Sequence, residues 1–69
     1  MTFSRKLLRI YDRKILSGEI TFSQSGISKD DFTRLCTDSE FLMSRENFLK
    51  VSEKMKLTDE EREELLEYL

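Results

Sequence analysis

Apolar residues recur along this chain at the spacing of a helix face. Phe3, Leu7, Leu8, Ile10, Tyr11 and Ile15 fall on one arc when the chain is wound at about 100° per residue, which predicts a helix from Phe3 to about Ser17. Arg5, Lys6, Arg9 and Arg13 fall opposite. Ser4 is the expected N-cap, with Phe3 and Leu8 at the spacing of a hydrophobic staple. Gly18 is the expected stop, since it accepts the left-handed conformation that ends helices. The pattern then weakens. In residues 19–27 Ile20 and Phe22 alternate with polar residues, which fits a short extended piece and equally a one-turn helix. Either way Ile20, Phe22 and Ile27 should point inward.

Helical periodicity returns at Ser28, an N-cap with Asp31 at the capping-box position and Ile27 and Phe32 at staple spacing. Phe32, Leu35 and Cys36 form its stripe, and the helix should end near Thr37 to Ser39. Ser44 opens the next helix, with Met43 and Phe48 as the staple and Phe48, Val51 and Met55 as the buried face. Thr58 caps the last, where Glu61 completes a capping box and Leu65, Leu66 and Leu69 supply the stripe. The expected fold is all-α, a compact single-domain bundle of four helices, one of them short. Its expected core is Phe3, Leu7, Leu8, Tyr11, Ile15, Phe22, Ile27, Phe32, Leu35, Phe48, Val51, Met55, Leu57, Leu65, Leu66 and Leu69. Phe41 and Leu42 lie in a polar linker and form a candidate contact patch for a partner or a second copy.

Composition narrows the function. A 69-residue chain buries only about 60% of its unfolded surface, so it needs regular helix packing, cross-links, a metal or a second copy. One cysteine and no histidine leave no internal disulfide and no zinc ligand set, so no metal or cofactor is expected. The single thiol, the lack of a signal-like leader and the lack of an apolar run of ~20 residues lead us to expect a cytoplasmic protein outside the membrane. Without histidine, a phosphate-binding glycine loop or a nucleophile elbow, the expected role is non-enzymatic. Cys36 is expected to be a core thiol.

Charge is unevenly placed. Residues 1–20 hold five bases and two acids, and residues 51–69 three and seven, so the net charge runs from +3 to −4 along the chain. The basic face of the first helix admits nucleic-acid phosphates, an anionic membrane or the acidic last helix as its counterpart. The apolar face behind it is needed for the core, which argues against the membrane. Pairing within the chain, or solvation, is the plainer reading. On the last helix, like charges at Glu60/Glu64 and Glu63/Glu67 oppose helix formation. Glu63 and Glu67 are candidate contacts for a basic partner.

The run SGISKDDFTRLC resembles the turn and recognition helix of the lambda-repressor-like (Xre) helix-turn-helix family. Gly26, Ile27, Ser28 and Phe32 match its turn, and Met55, Leu57 and Thr58 match the step into its closing helices. The resemblance covers roughly residues 20–66. It implies a DNA-binding regulator of transcription in which Ser28, Lys29, Asp30, Thr33 and Arg34 face the major groove. Arg5, Arg9 and Arg13 would then hold phosphates. The other reading is a protein-interaction module, an adaptor or inhibitor, using the acidic last helix or the Phe41-Leu42 patch.

Overall fold

The computed structural model describes residues 2–69, and in them four helices enclose one core. α1 spans Phe3–Ser17, α2 Lys29–Thr37, α3 Arg45–Lys54 and α4 Asp59–Leu66, with a single 3₁₀ turn at Phe22–Gln24 between α1 and α2. No strand occurs among the described residues. The body measures 27 × 25 × 21 Å.

α1 spans the expected residues, but its N-cap lies two residues before the expected one. Thr2, not Ser4, is the N-cap, and its hydroxyl accepts the Arg5 amide at 3.3 Å. Phe3 is therefore the first helical residue, and the Phe3/Leu8 staple does not form. The cause is tertiary. The Phe3 ring is buried edge-on to Phe48, with centroids 5.7 Å apart, so its backbone must already be on the helix. Ser4 is buried instead, and its hydroxyl donates to the Asp38 carbonyl at 3.2 Å, tying the start of α1 to the end of α2. α1 stops at Gly18, whose φ of 79° lets its amide reach Ile15 O while the Glu19 amide returns to Lys14 O.

The ambiguous segment settles as the one-turn helix, closed by the Thr21 amide donating to Gln24 Oε1. Ser25 is buried. Its hydroxyl donates to Phe22 O and accepts the Ile27 amide, and Gly26 follows at φ 78°. Ser28, Ser44 and Thr58 cap α2, α3 and α4 as expected, each accepting the amide three residues on. The Glu61 box closes on the Thr58 amide. At α2 only the Ser28 half forms, because the Asp31 side chain is one methylene shorter than the glutamate a full box uses. Between α3 and α4 the chain turns through Lys56 at φ 57°, a left-handed position without glycine.

Of the expected core, Phe3, Leu7, Tyr11, Ile27, Leu35, Phe48, Val51, Met55 and Leu65 are buried, joined by Ile10, Ile20 and Met43. Leu8, Ile15, Phe22, Phe32, Leu57, Leu66 and Leu69 are only partly buried and pack around it. A body this small has too little interior to enclose them all. Phe32 bridges Tyr11 and Phe22 edge-to-face, at 5.2 and 5.3 Å, which seats α2 on α1.

Candidate functional site

The candidate surface is built on α1, whose two flanks meet different neighbours. On one flank lies α4. Lys6 Nζ is 2.7 Å from Glu64 Oε2, and Arg13 donates to Glu61 Oε2. Glu61 thus serves twice, since its other oxygen closes the Thr58 cap. The Glu64 carboxylate raises the Lys6 pKa above its ordinary 10.5. Lys14, which the helix periodicity places among Leu7, Ile10 and Tyr11, is the one buried cation among the described residues, its side chain 8% exposed. Its ammonium meets Glu19 at 3.1 Å, the Lys56 carbonyl at 3.3 Å and Glu61 at 4.0 Å. It thereby pins the left-handed turn before α4. The expected pairing of the basic first helix with the acidic last one is present, through Lys6, Arg13 and Lys14.

The other flank is open. Arg5, Leu8, Arg9 and Asp12 of α1 face Leu35, Cys36, Thr37 and Ser39 at the end of α2 and beyond, across a cleft of about 610 Å³. Among the described residues neither Arg5 nor Arg9 makes an ion pair or a side-chain hydrogen bond. One helical turn separates them, so both guanidinium groups stand along the same rim. Burial pushes the nearby Tyr11 phenol above its ordinary 10.0, and the charges of Asp12 and Cys36 add to this.

Cys36 is exposed, not buried as its place beside Leu35 suggested. α2 turns its Leu35 inward, and Phe32 only partly. Cys36, one residue past Leu35, is carried round to the flank and becomes a wall of the cleft. Of the other residues expected on α2, Ser28 and Thr33 are exposed with occupied hydroxyls. Ser28 caps the helix, and Thr33 donates to Lys29 O at 2.9 Å. Lys29, Asp30 and Arg34 are exposed.

A second, smaller hollow of about 230 Å³ shares Ser39 with the cleft and is lined by Thr2, Phe3, Glu40, Phe41, Leu42 and Tyr68. Leu42 is 56% exposed and Tyr68 37%, while Phe41 is half-buried. The linker carrying Phe41 and Leu42 is held by the Phe41 amide on Asp38 O, the Glu40 amide on Asp38 Oδ1 and the buried Met43. Tyr68 was not expected here. It lies beyond the α4 stripe, and nothing local signals that the chain end folds back to the linker. Glu63 and Glu67 are exposed and, among the described residues, unpaired.

Among the described residues no group of three or more His, Cys, Asp or Glu is placed to hold a metal ion, and no helix is long and apolar enough to cross a membrane. No family model, curated protein or solved structure matches this sequence.

Proposed function

We propose that this chain is a small, non-enzymatic, cytoplasmic regulator that works as a protein-interaction module. The observation that carries this reading is the Phe41, Leu42 and Tyr68 patch. Leu42 is held out in solvent on a linker pinned through Asp38 and the buried Met43, with half-exposed Tyr68 beside it, a presentation that suits a hot-spot contact better than a solubilising loop. Glu63 and Glu67 would add a charged rim for a basic partner. A pull-down from the host with Leu42→Asp tests it. Partners held by the parent and lost by the variant, with unchanged helicity, support the patch. Partners retained by Leu42→Asp and lost by Glu63→Lys with Glu67→Lys would move the contact to α4. Partners kept by both would remove the reading.

A second reading, duplex DNA, is supported by the Gly26-Ile27-Ser28 turn, which places a left-handed Gly26 before the Ser28 cap. In it Lys29, Thr33 and Arg34 would meet base edges, and Ser28 the backbone. Arg13 is engaged with Glu61, which leaves Arg5 and Arg9 for phosphates. Asp30 at the exposed start of α2 opposes it, and only a three-residue turn precedes Gly26. Fluorescence anisotropy on random duplex at about 50 mM salt, where non-specific affinity is enhanced, decides it: a flat titration removes DNA as a partner.

A further inference from the structure

The molecule carries its own example of what docks on α1. On the closed flank the occupant is α4, an acidic helix whose Leu65 enters the core while Glu61 and Glu64 reach the cations of α1. The open flank repeats those ingredients without an occupant. Arg5 and Arg9 stand one turn apart on the rim, Leu8 is part-exposed between them, and Leu35, Cys36 and Thr37 form the opposite wall. We propose that the α1–α2 cleft binds an acidic amphipathic helix of a partner protein, with carboxylates one turn apart on Arg5 and Arg9 and an apolar side chain over Leu8.

Charge complementarity selects the occupant. Neither guanidinium is in an ion pair, although Arg9 also borders the hollow that Glu61 and Glu64 line on the α4 side, and such groups favour planar anions, which each can grip with two N–H donors. Asp12 at the far end of the rim sets polarity, because it repels a third acid and accepts a base. A second copy of this chain does not fit the role with its own α4. That helix has its Leu65 fully buried and its Leu66 partly buried, so its glutamates are most of what it has left to offer. Part-exposed Leu8 and exposed Cys36 on the cleft walls argue for a helix over a phosphate backbone, which has nothing to place on Leu8.

The cleft adjoins the Phe41–Leu42 patch at Ser39, and the test keeps the two apart. The probe is an acetylated, labelled peptide of Thr58–Leu69, an acidic leucine-bearing segment, titrated with the intact protein at low salt. We expect saturable binding that weakens about tenfold or more in Arg5→Ala with Arg9→Ala, and likewise when the peptide glutamates become glutamine. Leu42→Asp should leave this binding intact even if it abolishes partner capture. Absence of binding up to about 1 mM, a millimolar limit that corresponds to only about −4 kcal/mol, overturns the proposal. So does binding lost through Lys6→Ala with Arg13→Ala but not through the Arg5/Arg9 pair, which would mean that the peptide replaces α4. Duplex DNA that binds through Arg5 and Arg9 while the peptide does not overturns it in favour of the nucleic-acid reading. Self-association abolished by the same two substitutions overturns it in favour of a second copy.

Discussion

The two flanks of α1 carry the same kinds of side chain and have opposite fates. Toward α4, Lys6, Arg13 and Lys14 are matched to Glu61, Glu64 and Glu19, and one of them is buried. Toward α2, Arg5 and Arg9 line a cleft whose acid, Asp12, lies on the same helix one turn from Arg9. Composition does not separate these cations; the rotation of α1 about its axis does. Phe3, Leu7, Ile10 and Tyr11 fix that rotation by entering the core, and every basic residue takes the side left to it. The lesson is that a basic helix face is not one feature. Its closed half is taken up by ion pairs to α4, and its open half is left to solvent.

The largest expected difference between the flanks follows from Leu65. It is fully buried in the core that α4 helps to close. Leu65→Ala should cost about 2–5 kcal/mol, against a total of about 3–10 kcal/mol for a domain of this length. Urea unfolding followed by circular dichroism should find its midpoint lowered the most of the variants considered, to the point of unfolding without denaturant if the parent lies near the low end of that range. Leu8→Ala on the open flank, where the side chain is only half-buried, should cost about 1 kcal/mol. Equal losses would show that both flanks are structural.

Charge removal should split the same way at a smaller scale. Lys14→Ala strips the ammonium from the Lys56 carbonyl and from Glu19, and should cost about 1–3 kcal/mol. Arg5→Ala with Arg9→Ala should change stability by no more than about 0.5 kcal/mol for each site. A loss above that would mean that the open rim supports the fold. Glu61→Gln is subtler. Glutamine can still accept the Thr58 amide, so the capping box survives while the pairs to Arg13 and Lys14 go. The expected loss is about 1 kcal/mol or less, reduced further by salt in the parent and insensitive to salt in the variant.

What the sequence disclosed and what it withheld follow the same division between local and distant causes. The caps at Ser28, Ser44 and Thr58, the stop at Gly18 and the all-α class were legible, because each depends on residues within one turn. The shift of the first cap from Ser4 to Thr2 was not, because it depends on Phe3 reaching Phe48 across the core. The attraction between a basic first helix and an acidic last one was visible in the running charge. Which cations it would engage was not, since that needs the angle between helices. Cys36 and Tyr68 joined surface hollows through the rotation of α2 and the path of the chain after α4. Lys14 left a readable trace, because its spacing from Leu7, Ile10 and Tyr11 places it on the apolar arc.

The smallest expected effect is alkaline, and it separates the flanks by residue. Lys6 on the closed flank has its pKa raised above 10.5, first by its hydrogen bond to Glu64. Tyr11, packed on Phe32 of α2, has its phenol raised above 10.0, first by burial. In both cases the folded state holds its proton more tightly than the unfolded chain. Stability from these groups is therefore complete below about pH 10 and is lost as the pH rises through the folded values. The urea midpoint should stay flat from about pH 7 to 9 and fall above about pH 10. Tyr11→Phe should remove the part that is mostly independent of salt, because it arises first from desolvation. Lys6→Gln should remove the part that salt weakens, because it arises from an exposed ion pair. If Tyr11→Phe leaves the alkaline fall unchanged, the closed flank alone carries it, and the phenol on the α2 side adds nothing to the titration.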